Sequence, residues 1–162
     1  MSATTTDTTA PATSRGLTGP VLVGGAFLLS TVLNLCFQLA DLLFGAGDPH
    51  RPQGPIESIV SISVVGVAGL IVALAVALPL RRNPARAKVG AIVLGALALI
   101  TTPLFWSGAP AVLGAAAAWL AGLTKGARPI GGAARGFGII GFLVAVLVVV
   151  ATIAGSVAAA LS

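Results

Sequence analysis

The sequence predicts an all-α, polytopic transmembrane helix bundle of five spans behind a disordered N-terminal tail. Three observations carry this reading. Hydrophobic residues fill 57% of the 162 positions and charged residues 8%, against roughly a quarter charged in soluble domains. The mean hydropathy of +1.07 leaves no polar surface for a water-soluble globule. Eight of the nine Lys and Arg residues fall in alternate gaps between five long apolar stretches. Arg15 precedes the first stretch; Arg81, Arg82, Arg86 and Lys88 lie between the second and third; Lys125, Arg128 and Arg135 lie between the fourth and fifth. Only Arg51 occupies an intervening gap. Cytoplasmic loops carry the excess of Lys and Arg, so the alternation predicts a multi-pass protein of the cytoplasmic membrane, N-terminus inside and C-terminus outside.

Residues 1–16 are rich in Thr, Ala, Ser and Pro and lack the apolar side chains that offset the entropy of ordering, which predicts a disordered cytoplasmic tail. The transmembrane domain then occupies 17–162. Helix one is expected over 18–44, stopped by Gly45-Ala46-Gly47-Asp48-Pro49. Its apolar run from Leu17 to Phe44 far exceeds the roughly 7–15 residues of a signal-peptide core and reads as a retained signal anchor. Helix two is expected over 56–80, about 37 Å long against a hydrocarbon core of about 30 Å. Pro55 and Glu57 suit its first turn, because Pro lacks a donor there and a carboxylate complements the positive end of the helix dipole.

The apolar segment 89–124 would make a single helix of about 54 Å, nearly twice the hydrocarbon core. Pro103 and Ser107-Gly108-Ala109-Pro110 interrupt it, so it divides into helix three over 89–106 and helix four over 110–123. Helix four is short, and is expected inside the bundle or at a thinned bilayer. Helix five follows over 136–160. Phe105 and Trp106 fall at the outer boundary and Trp119 towards the inner one, where amphipathic rings suit the headgroup level.

Arg86 to Ile92 and Arg135 to Ile140 each run from a basic loop into a glycine-bearing helix start, a faint repeat that would make helices two and three, and four and five, similar hairpins. This hairpin pattern, carried by Arg86 to Ile100 and Pro110 to Val150, resembles the small multi-spanning membrane proteins of unknown function found in high-GC actinobacteria. The resemblance implies a helical bundle and no particular chemistry. The use of seven Arg against two Lys fits such a genome.

The residue inventory points away from an enzyme and from any cofactor. His50 is the only histidine and Cys36 the only cysteine, so there is no pair to hold a haem, no donor cluster for zinc and no internal disulfide. Gly-x-Ser-x-Gly and the phosphate-binding loop are both missing. The basic isoelectric point near 11.3 does not call for nucleic acid as a partner, because the cations are confined to short loops beside apolar spans. The expected partners are the lipid bilayer and other membrane proteins or a second copy of the chain.

One constellation stands out. At 100° per residue, Ser30, Thr31, Asn34, Gln38 and Asp41 share an arc of about 100° on helix one, with Val32, Cys36, Leu39 and Leu43 opposite. Polar groups facing hydrocarbon are costly, so the stripe must face other helices or a wet cavity. It reads either as interhelical hydrogen bonding or as a small polar pathway with Asp41 near its outer mouth. Gly66 and Gly69, Gly90 and Gly95, Gly114 and Ala118, and Gly138 and Gly141 are expected at close helix contacts, because membrane helices pack through small residues. Two functions follow: a non-enzymatic accessory or scaffold subunit, or a small channel or transporter using the stripe.

Overall fold

The computed structural model describes residues 16–44, 54–127 and 129–161. Residues 1–15 of the tail expected over 1–16, together with His50, Arg51 and Arg128, lie outside the described residues. Those described form five α-helices and no strand. They are α1 (Gly19–Phe44), α2 (Pro55–Leu80), α3 (Pro84–Ile100), α4 (Ala109–Leu120) and α5 (Ala133–Leu161). A 3-10 segment over Thr102–Ser107 joins α3 to α4.

Three helices are long and apolar enough to cross a membrane: Gly19–Phe44, Ile56–Leu80 and Ala133–Ala158. The 26 residues of α1 reach about 39 Å. By contrast the 12 residues of α4 reach only about 18 Å, well short of a core of about 30 Å. All 12 of its residues are buried. This short helix is the axis of the bundle, enclosed by the first half of α1 and by α2, α3 and α5.

Capping chemistry rather than apolarity sets several boundaries. α3 starts at Pro84 and not at 89, because Asn83 accepts a hydrogen bond from the Ala85 N–H at 3.0 Å and Pro84 occupies the first turn. Arg86 and Lys88 therefore belong to the helix, not to a preceding loop. The helix expected over 89–106 ends at Ile100. There the Thr101 and Thr102 hydroxyls donate back to the carbonyls of Leu97 and Ala98, and Pro103 cannot continue the ladder. α4 closes at Gly122, whose φ of 78° lets the Gly122 and Leu123 N–H groups donate to the carbonyls of Trp119 and Ala118.

The core is built from small side chains. Ala91, Leu94 and Ala98 of α3, Ala115 to Ala117 of α4 and Ala145 and Val148 of α5 form the core. Helix backbones approach most closely where α4 crosses α5: a Cβ on Gly114 would run into the Gly141 carbonyl, and one on Gly141 would lie 3.0 Å from the Gly114 carbonyl. Gly69 meets Ala109, Gly90 meets Leu120, Gly95 meets the Phe137 carbonyl, and Gly138 meets Ala121. This proximity supplies dispersion contacts between the helices.

The two hairpins of the faint repeat occupy unlike positions: α2 is long and peripheral, whereas α4 is short and central. What they share is a basic residue in the opening turns of the helix that follows, Arg86 in α3 and Arg135 in α5.

Candidate functional site

The inner part of the α1 stripe clamps the tip of the α3–α4 hairpin. α4 runs antiparallel to the first half of α1, with Trp119 against Gly19 and Gly108 against Ser30 and Thr31. At the tip, three α1 side chains meet three successive carbonyls. The Asn34 amide donates to the Trp106 carbonyl at 2.6 Å. The Thr31 hydroxyl donates to the Ser107 carbonyl at 2.9 Å. The Ser30 hydroxyl donates at 2.6 Å to Ala26 in its own helix and reaches the Gly108 carbonyl at 3.4 Å.

The backbone on both sides is shaped for this meeting. Around Leu28–Val32, α1 widens into a π-helical turn. More residues per turn means that successive side chains diverge less, and the consecutive Ser30 and Thr31 are both fully buried on the hairpin side. Across from them Gly108 has φ 76°, a conformation that side chains rarely adopt, and any Cβ there would collide with both hydroxyls. The Ser107 hydroxyl donates to the Leu104 carbonyl and accepts from the Ala109 N–H, which ties the chain reversal to itself.

Gln38 and Asp41 lie one and two turns beyond the clamp and are half-buried. The stripe thus divides: Ser30, Thr31 and Asn34 bind the hairpin, and Gln38 and Asp41 do not share that contact. Sequence reasoning found all three clamp donors through their helical spacing. It missed their partners, since backbone carbonyls carry no side-chain signature.

The described basic residues gather at the opposite end of the hairpin. Arg81, Arg82, Arg86, Lys88, Lys125 and Arg135 are all exposed there. The Lys125 N–H donates to the Leu17 carbonyl, and the Ile130 N–H donates to the Ala121 carbonyl, which draws the loop after α4 against the start of α1. Arg81 lies over the Trp119 ring, 5.4 Å from its centroid. Among the described residues, no group of three or more His, Cys, Asp and Glu side chains could hold a metal ion.

This architecture, an apolar helical bundle with three helices of membrane-crossing length, is shared by proteins of many activities. Comparison with family models, with curated proteins and with solved structures finds no match to this chain.

Proposed function

We propose that this chain is a non-catalytic integral protein of the cytoplasmic membrane, an accessory or scaffold subunit rather than a carrier. One observation carries the choice: Thr31 and Asn34 of the candidate pathway donate to hairpin carbonyls, and the Ser30 hydroxyl donates to the Ala26 carbonyl of its own helix. A conducting route through the axis would also have to pass α4, which is buried along its whole length.

In this reading the basic end faces the cytoplasm, following the distribution of Lys and Arg. α1, α2 and α5 cross fully, and α3 and α4 form an embedded hairpin that enters and returns on the basic side. Ten residues of α1 follow Asn34 and eleven of α2 precede Gly66, so the clamped tip lies about 15 Å short of the far ends of both helices. This arrangement keeps the side assignment of a five-crossing chain, with the N-terminus inside and the C-terminus outside.

Reconstitution tests the function. Proteoliposomes are expected to leak protons and monovalent cations no faster than empty liposomes. A flux that Asp41→Asn abolishes would replace the scaffold reading with a transporter using the outer stripe. In mild detergent the tagged chain is expected to elute with a stoichiometric membrane partner; elution as a lone chain of 15.8 kDa would remove the accessory role.

A further inference from the structure

A cavity of about 520 Å³ opens at the basic end, between the start of α1, the α2–α3 turn and the loop after α4. Its rim holds Arg81, Arg82 and Lys125, two of them from one turn and the third from a different loop. Among the described residues the lining contains no carboxylate, and the described acids Asp41 and Glu57 lie in the far halves of α1 and α2. Three cations brought to one concavity with no counter-charge repel one another, and an anion relieves that repulsion.

Two further features select the kind of anion. Thr18, Gly19 and Pro20 place the N-terminus of the 26-residue α1 on the wall, which adds the positive end of the helix dipole. The floor is apolar, formed by Trp119, Leu120 and Ile130, all of them buried. A free inorganic anion has no use for such a floor, whereas a lipid presents a charged headgroup continuous with an apolar body. Topogenic loops need only carry cations; they do not need to converge on a cleft.

We propose that this cavity binds the phosphate headgroup of an anionic phospholipid. Arg81, Arg82 and Lys125 hold the phosphate, and Trp119 and Ile130 receive the upper part of the acyl region. Basic pockets between membrane helices at the cytoplasmic surface have this chemistry in general. The proposal rests on the basic end lying at headgroup level, as in the proposed topology, but not on the scaffold role.

Trp119 supplies the probe. The chain has two Trp, so Trp106→Phe leaves Trp119 as the single reporter beneath Arg81. In mild detergent the full-length protein is titrated with short-chain phosphatidylglycerol, short-chain phosphatidylcholine and inorganic phosphate, with helicity followed by circular dichroism. Phosphatidylglycerol is expected to give a saturable change in Trp119 emission that phosphatidylcholine does not. In the Arg81→Gln/Lys125→Gln variant its midpoint is expected to weaken roughly tenfold. Arg82→Gln, which leaves the Trp119 contact intact, provides the second variant and is expected to weaken binding by a smaller factor.

An equal response to inorganic phosphate would overturn the lipid assignment in favour of a soluble phosphate. An equal response to phosphatidylcholine, or a midpoint unchanged in both variants, would overturn the site altogether. None of these outcomes depends on ion flux or on a co-eluting partner.

Discussion

Removing the clamp donors one at a time should cost more than removing the polar residue beyond the clamp. Thr31 is fully buried, and its hydroxyl is the donor to the Ser107 carbonyl. Thr31→Val keeps the shape and strands that carbonyl, so it is expected to cost about 1–2 kcal/mol. Asn34→Leu strands the Trp106 carbonyl and should cost a similar amount. Gln38→Leu, beyond the clamp, should stay within about 0.5 kcal/mol. Thermal melts in one detergent check the series, and equal losses at all three positions would show that the stripe acts as a unit. Thr124 tests the reverse case: its hydroxyl is buried with no partner among the described residues, so Thr124→Val is expected to raise stability by up to about 1 kcal/mol. At this scale the sequence was half legible. Helical spacing marked Ser30, Thr31 and Asn34, but the π-helical turn over Leu28–Val32 that faces the Gly108 turn has no signal in the spacing.

Helix contacts give the next set of expectations. Gly90→Leu drives a side chain into Leu120, and Gly138→Leu drives one into Ala121 at the α4–α5 contact. Overpacking of this kind is expected to cost about 1–3 kcal/mol or more and to lower the melting temperature of both variants. Gly136 faces open space on α5, so Gly136→Ala should stabilise by about 0.4–1 kcal/mol through helix preference. A Gly138→Leu variant that melts like the wild type would mean that α4 and α5 are not in contact at this point. α1 and α2 could be read almost to their observed ends, since long apolar runs end at strong stop signals. α3 could not, because an apolarity criterion passes over the polar first turn that Asn83 and Pro84 build. α4 stood out as short, expected inside the bundle or at a thinned bilayer, although the sequence could not say which helices enclose it.

Across the whole molecule, the arrangement predicts sidedness and depth separately. A reporter fused after Ser162 is expected to be active only on the side opposite the basic end, because an odd number of crossings separates the two termini. Depth is checked at the hairpin tip. In a Cys36→Ser/Phe105→Cys variant, a membrane-impermeant maleimide is expected to label the tip from neither side. Labelling from the far side would make α3 and α4 true crossings. Charge alternation carries the expected sidedness, but the sequence does not separate an embedded hairpin from two short spans, since both return the chain to the same side. The burial of α4 also bears on how the protein is made. Twelve residues are too few to be retained as an independent membrane segment, and one wall of the enclosure, α5, leaves the ribosome after α4 does. In the proposed topology the α3–α4 segment is therefore expected to settle between α1, α2 and α5 only once translation is nearly complete. Chains interrupted before residue 133 would hold that segment without its last wall, and should be cleared by membrane proteases far faster than the full-length product.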